Sequence, residues 1–298
     1  LKVLRIQTNE GDIVLSSSDF LPDTIPAFIL KLKNPKVKWI ASFYLFAPKP
    51  WKKKSPYKGK KYLLGLVYWL SQLPAYYIIK IFADIVFVTS QPDIKPFMTK
   101  NRSIKKIIPV RGGVDVLPAR QYFEQGGFIP FENRSYDACF VGRFHYQKGV
   151  LELIRIWKVV CNKKPKCRLA LIGMGPLEGE IQSLIKQMGL KPNITLLGFL
   201  NGTEKFNVFK QSKTVLHPAT YDSGGMAPAE AMAWGLPGVS FDLEALKSYY
   251  PKGILKTECF NLDAFANNIL HLLSDPNAHL ALSQEALALV KEQWNWDR

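Results

Sequence analysis

The stretch His217-Pro218-Ala219-Thr220-Tyr221-Asp222-Ser223-Gly224-Gly225-Met226-Ala227-Pro228-Ala229-Glu230-Ala231-Met232-Ala233-Trp234-Gly235-Leu236-Pro237 reads as a strand end, a two-glycine loop and a helix. Pro228 suits a first helical turn, where its missing N–H costs nothing, and Gly235 followed by Pro237 stops the helix. Unpaired N–H groups at such a start, aided by the helix dipole, form an anion cradle, while Gly224 and Gly225 let a ligand approach the backbone. Asp222 and Glu230 flank the loop and can accept hydrogen bonds from ligand hydroxyls. The same two acids would equally serve as electrostatic helix caps.

Outward from this stretch, short apolar runs alternate with helical periodicity, the pattern of parallel strands joined by crossover helices. The expected strands after the midpoint are Asp137–Val141, Arg168–Ile172, Ile194–Leu197, Thr214–Leu216 and Gly238–Phe241, with helices from Val150, Pro176, Thr203 and Pro228 between them. That is an α/β, doubly wound sheet. Two more helical stretches, Asn261–Leu273 and Pro276–Gln293, follow. Earlier strand candidates are Asp12–Leu15, Val37–Phe43, Asp84–Thr89 and Lys106–Val110, rich in β-branched and aromatic residues. Pro, Gly and polar residues around Leu117–Asn133 suggest a linker. The expected division is a first domain at 1–125, a linker at 126–135 and a second domain at 136–298.

A second informative stretch is Val141-Gly142-Arg143-Phe144-His145-Tyr146-Gln147-Lys148-Gly149. Arg143 and Lys148 bracket a strand-to-helix loop, where a planar fork and a point charge can converge on one diphosphate. Two surface cations beside a loop are the plainer reading. Gly173-Met174-Gly175 precedes a helix, but the next glycine, Gly179, arrives one place late for a dinucleotide fingerprint. There is no D-x-D motif, and His145, His217, His271 and His279 lack metal-ligand spacing. No metal and no redox cofactor is implied.

Together the two stretches resemble the retaining glycosyltransferases of the GT-B fold, family 4. The G-R-x-x-x-x-K-G element is matched by Gly142-Arg143 through Lys148-Gly149, and the acidic-x7-E element followed by A-M-A-x-G-x-P by Asp222 through Pro237. The resemblance implies two Rossmann-like domains facing a cleft and transfer of a hexose, with retention, from a nucleoside-diphosphate sugar. It assigns Arg143 and Lys148 to the donor diphosphate, with support from Gly142 and the amides near Gly224, Gly225 and Met226. Glu230 would take the ribose hydroxyls and Asp222 the transferred sugar, with Gly173 and Phe199 completing the donor-binding set. The family usually carries Glu at the first acidic position, so Asp222 is a departure. The sequence opens at Leu1 without the strand and glycine-rich loop with which the family's first domain normally begins, and it stops at Asp297-Arg298 without a helix-terminating signal, so a first domain cut short and a cut C-terminus are expected. The family's usual cleft histidine is missing from the strand end Ser42–Phe46.

The 298 residues are 47% hydrophobic, enough for two cores, and carry a net charge of +16. Residues 1–125 hold 21 Lys/Arg against 8 Asp/Glu, and residues 126–298 hold 19 against 16. The excess points the first half towards an anionic partner. Lys52, Lys53, Lys54, Lys58, Lys60 and Lys61, beside Trp51 and Tyr57, precede the uncharged stretch Tyr62–Ile79. This pairing suits an anionic membrane surface, with Pro74 arguing against a spanning helix; a core or interdomain helix behind a lysine loop is the alternative. Nucleic acid is disfavoured because the aromatics do not interleave with the lysines. Cys139, Cys161, Cys167 and Cys259 form no C-x-x-C pair and sit largely in apolar or element-edge stretches, which suggests a reduced compartment, the cytoplasm, at the inner face of the membrane. Two functions remain: a transferase acting on a membrane-proximal or lipid-linked glycan, or a catalytically silent nucleotide-sugar-binding module at the membrane.

Overall fold

The computed structural model describes residues 2–53, 55–100 and 102–296, which form two compact units, Leu1–Arg111 and Gly112–Arg298. In the first, β1 (Ile13–Ser16), α1 (Leu21–Lys33), β2 (Lys38–Phe43), α2 (Tyr62–Phe82), β3 (Ile85–Val88), α3 (Ile94–Phe97) and β4 (Ile107–Pro109) succeed one another. All four strands are parallel and lie in sequence order, β1-β2-β3-β4. Trp39, Phe43, Val86, Val88 and Phe97 fill the core. Asp84 ties the layers together: its carboxylate accepts from the Trp39 N–H at 2.7 Å and pairs with Lys31 at 2.8 Å. The buried Arg102 guanidinium donates to the carbonyls of Phe97, Ile79 and Ala83, closing the end of α2 where orphan carbonyls collect.

The second unit begins with α4 (Leu117–Glu124), followed by β5 (Tyr136–Val141), α5 (Val150–Lys163), β6 (Leu169–Ile172), α6 (Glu178–Gln187), β7 (Ile194–Leu196), α7 (Gly202–Lys210) and β8 (Ser212–His217). It continues through α8 (Met226–Met232), β9 (Gly238–Phe241), α9 (Glu244–Tyr249), β10 (Ile254–Thr257), α10 (Leu262–Ser274) and α11 (Pro276–Leu289). Its six parallel strands run β10-β9-β8-β5-β6-β7, so the chain winds one way from β5 to β7 and the other way from β8 to β10. The sheet is covered on both faces. α5, α6 and α10 pack in one cluster around Trp157, Leu171 and Phe265; α8, α9 and α11 pack in another around Phe209, Met232, Tyr250 and Trp294.

The division falls earlier than the expected 1–125 and 126–135 boundaries. Val114 and Ala119 are buried in the second unit's core, with Val116 and Tyr122 packed against it. Pro118 therefore sits within the first turn of a helix, where proline is tolerated, and does not mark a linker. Val114 also donates from its N–H to the Trp294 carbonyl at 2.7 Å, joining this segment to the π-helical turn Val290–Trp294 that succeeds α11.

Gly149 sits between β5 and α5 at φ +65°, and a Cβ there would lie 1.9 Å from the Pro218 carbonyl oxygen beyond β8. Gly149→Ala is expected to cost more than about 3 kcal/mol, since left-handed strain adds to a clash with backbone. Urea unfolding followed by circular dichroism measures it; a loss below about 1 kcal/mol would mean the two strand ends are not packed so closely.

Candidate active site

The order of the second sheet reverses between β5 and β8, so the loops leaving these neighbouring strands diverge and open a crevice at their carboxyl ends. The β5–α5 loop carries Gly142, Arg143 and Lys148, and the β8–α8 loop carries Asp222, Gly224 and Gly225. Backbone bonds lock them together: the Thr220 N–H donates to the Gln147 carbonyl at 2.9 Å and the Tyr221 N–H to the same oxygen at 3.3 Å. Lys148 Nζ reaches Asp222 Oδ2 at 2.7 Å.

Asp222 is the electrostatic centre of this join. Its side chain is only 8% exposed. Oδ1 accepts from the Ser223 N–H at 2.8 Å and, more weakly, from the Gly224 N–H at 3.4 Å. Oδ2 faces Lys148 and has His217 Nε2 at 3.3 Å, a close approach within ion-contact range. Burial would push the carboxyl up, but His217 and Lys148 outweigh it and hold the group well below the usual carboxylate range. It is ionised at neutral pH.

The glycine loop ends in the short helix α8, capped by Gly225 at φ +55°. A Cβ at Gly225 would stand 2.8 Å from His217 Nε2, so only glycine fits beside the buried imidazole. The helix begins at Met226, two residues before Pro228, which occupies its first turn. The Ala229 N–H donates to the Tyr250 hydroxyl at 3.2 Å, and that hydroxyl donates to the Gly225 carbonyl. Among the described residues the N–H groups of Gly225 and Met226 have no acceptor. With seven residues in α8, the local positive potential comes from these first-turn amides more than from a long dipole.

Arg143 is exposed and makes no ion pair among the described residues. Glu230 is a turn further into α8, paired with Lys205 of α7 at 2.8 Å. Gly173, at the end of β6, packs so tightly that a Cβ would lie 1.9 Å from the Gly142 carbonyl oxygen. Phe199, just past β7, is 72% exposed. Apart from Met226 and Glu230 within α8, the residues singled out in the sequence thus lie just past the carboxyl edge of one sheet, on segments that follow β5, β6, β7 and β8. His217, Lys205 and Tyr250 touch Asp222, Glu230 and the Gly225 carbonyl respectively, contacts that the sequence reading does not single out. No local motif flags the last two, because each acts on the site from another element.

The first unit has its own concavity, about 480 Å³, at the carboxyl ends of β1 and β2. Asp19, Phe20, Tyr44, Tyr68 and Gln72 line it. Gln72 organises it: its amide N–H group donates to Asp19 Oδ2 and the Leu45 carbonyl, each at 2.7 Å, and its oxygen accepts from the Ala47 N–H at 2.7 Å. In the sequence Gln72 registers only as a polar break in an apolar helix.

The two sheets and the loop crevice define an α/β glycosyltransferase fold of the GT-B kind. Residues 127–288 match the model of the glycosyl transferases group 1, and the chain belongs to that family. An uncharacterized glycosyltransferase of Methanocaldococcus jannaschii, MJ1607, is 29% identical over 53% of this chain and 41% of its own length. The phosphatidylinositol N-acetylglucosaminyltransferase gpi3 subunit of Schizosaccharomyces pombe is 22% identical over 52% of this chain and 34% of its own length. The chain therefore spans less than half of each of these relatives. Among solved structures, that of a mutant of S. aureus TarM in complex with Fondaparinux, alpha-GlcNAc-glycerol and UDP superposes with a TM-score of 0.66 at 17% identity, covering 92% of this chain and 51% of the other.

In Asp222→Asn the amide oxygen can still take the Ser223 and Gly224 N–H groups, but an NH2 donor then faces the Lys148 ammonium in place of its counter-charge, so the substitution is expected to cost about 3 kcal/mol at pH 7, the low end for a broken buried pair because Lys148 retains water. A group with a depressed folded pKa stabilises fully above its unfolded pKa, here the ordinary 3.8, and loses that contribution as pH falls through the folded value. The gap between wild type and Asp222→Asn should stay constant from pH 7 down to about 5 and shrink below about 4. Denaturant titrations across pH measure it; a gap that widens on acidification contradicts the assignment.

Proposed function

We propose that the chain moves a hexose from a nucleoside-diphosphate sugar to an acceptor with retention of anomeric configuration, as family-4 transferases do. The observation that carries this reading is the 2.7 Å contact of Lys148 with Asp222, which sets the cationic loop against the glycine loop at the reversal point of the sheet. A diphosphate in that crevice meets Arg143, Lys148 and the unmatched amides of Gly225 and Met226. As the anomeric C–O bond breaks, negative charge gathers on the leaving diphosphate, and these fixed groups stabilise it as it forms. Arg143 and Lys148 stand in this scheme where a divalent ion would otherwise serve.

Lys148 rests on Asp222. The incoming diphosphate competes for the ammonium, and the Asp222 oxygen so released takes a hydroxyl of the transferred sugar. Glu230, steadied by Lys205, takes the ribose hydroxyls; Gly142 and Gly173 keep the strand ends low enough for the nucleotide to lie across them, and Phe199 offers an aromatic surface beside it. UDP in the crystals of the TarM mutant supports a nucleoside diphosphate as the ligand class.

On the acceptor side, the first unit's pocket combines aromatic walls with Asp19, a pairing suited to a glycan with an apolar attachment. The name of the gpi3 relative carries a phosphatidylinositol acceptor, and a lipid-linked glycan is the acceptor class we assign here. The four cysteines are buried free thiols, with burial raising those of Cys139 and Cys167 to about 12, in keeping with a reducing, cytoplasmic setting.

UDP should raise the melting temperature in a panel of nucleoside diphosphates, since a ligand held only by the folded state shifts unfolding. Arg143→Ala should lower kcat by about a hundredfold to a thousandfold in donor turnover, with unchanged melting because the side chain is exposed. Glu230→Gln should instead raise the donor KM. If no nucleotide stabilises the protein and Arg143→Ala turns over donor at the wild-type rate, the reading fails.

A further inference from the structure

α2 faces two ways. Gly65, Ala75 and Ile79 are buried against the first unit, and a Cβ at Gly65 would meet the Tyr57 side chain at 2.5 Å, so that side is packed tight. On the other side Leu63, Val67, Leu70, Tyr77 and Ile81 recur at helical spacing and all are exposed. Leu63 is 68%, Val67 57%, Tyr77 54% and Ile81 66% exposed. Such a contiguous apolar stripe on a folded surface marks a binding face. By length and hydropathy, Gly59–Phe82 could cross a membrane. Here it is the crossover between parallel strands β2 and β3, with one side committed to the sheet, so it lies along a surface.

The charge around this stripe selects its occupant. Residues 24–83 contain 12 Lys and no Arg, Asp or Glu. Lys52, Lys53, Lys58 and Lys60 are exposed just before the helix; Lys54 lies outside the described residues. Trp51 is half exposed and packs edge-on against Trp69 of α2 at 4.9 Å, placing an amphipathic ring between the lysines and the stripe. A protein partner would be met by charges of both signs, and a second copy would set lysines against lysines. Cations, interfacial aromatics and an apolar stripe in one place fit an anionic bilayer.

We propose that the outer face of α2 and the 51–61 loop dock the protein on an anionic lipid bilayer, the stripe entering the headgroup–acyl boundary and the lysines meeting lipid phosphates. This deepens the acceptor part of the reading above and rests on it for its purpose. Tyr68, Ser71 and Gln72 of the same helix line the first unit's pocket, so a lipid-linked acceptor would be presented at the docked side.

The test is co-flotation of the full chain with phosphatidylcholine vesicles and with vesicles of phosphatidylcholine and phosphatidylglycerol in equal parts, without nucleotide. The protein should float with the anionic vesicles and bind the neutral ones at least about tenfold more weakly. K52Q/K53Q/K60Q should weaken anionic binding by roughly a hundredfold, and L63S/V67S/L70S should abolish it at any salt. Absence of flotation, equal binding to both vesicles, or unchanged binding by L63S/V67S/L70S overturns the proposal. So does a lipid-free dimer in sedimentation equilibrium that L63S/V67S/L70S dissociates, which would make the stripe a self-interface. Should the serine variant fail to fold, the vesicle preference and the lysine variant still decide. UDP-induced stabilisation, read separately, reports on donor binding and is not affected by failure of the docking face.

Discussion

The adjacency of β5 and β8 is the constraint on which the candidate site depends. Neither the cationic loop nor the glycine loop is distinctive alone, since exposed cations and glycine turns are common on protein surfaces. Strand order makes them neighbours, and three close approaches keep them so: Gly149 against the Pro218 carbonyl, the Thr220 N–H on the Gln147 carbonyl, and Lys148 on Asp222. A buried carboxylate is costly unless matched. Asp222 is matched by one cation and one imidazole from two directions, so the electrostatics of the site and the packing of the sheet depend on the same contacts.

Most of this was legible in the sequence because parallel strands buried on both faces are short apolar runs, and the loops after them carry the chemistry. Each expected strand forms, with ends shifted by a residue or two. α9 and β10 escaped because six residues containing Glu, Lys, Ser and Tyr, then Ile-Leu-Lys-Thr after Pro251 and Gly253, present neither clear periodicity nor a long apolar run. α4 was hidden by Pro118, which is a breaker in general and a first-turn residue here. Lys205 and Tyr250 could not be read at all. Lys205 stands 25 positions from its partner Glu230, and Tyr250 works through a hydroxyl wedged between Gly225 and Ala229, an arrangement that only the packing of α8 on Trp294 and Tyr250 creates.

The two units differ in how they use their helices. α5 buries eight of its fourteen residues; α2, with twenty-one, buries three. Both read as crossover helices, but hydrophobicity alone does not distinguish a helix that fills a core from one that offers a surface. Position relative to the sheet does. In the second unit the apolar faces of α5 and α10 close over strands that are buried in every residue, such as β6; in the first unit the apolar residues of α2 run round the helix beyond the side that the sheet covers. The charge asymmetry follows the same division, with lysines concentrated where apolar surface is exposed.

The shorter acid at Asp222 has a local reason in this packing. A Cβ built at Gly225 would come within 3.3 Å of Asp222 Oδ2 and 2.8 Å of His217 Nε2, so the space between loop and imidazole is already filled to contact. An additional methylene at position 222 would have to carry the carboxylate past His217 or away from the Ser223 and Gly224 amides. Either movement would forfeit a partner that offsets burial of the charge. With Asp, one oxygen holds the loop's own amides while the other holds Lys148, so the contact that joins the two loops and the bonds that shape the glycine loop rest on different atoms of one carboxylate.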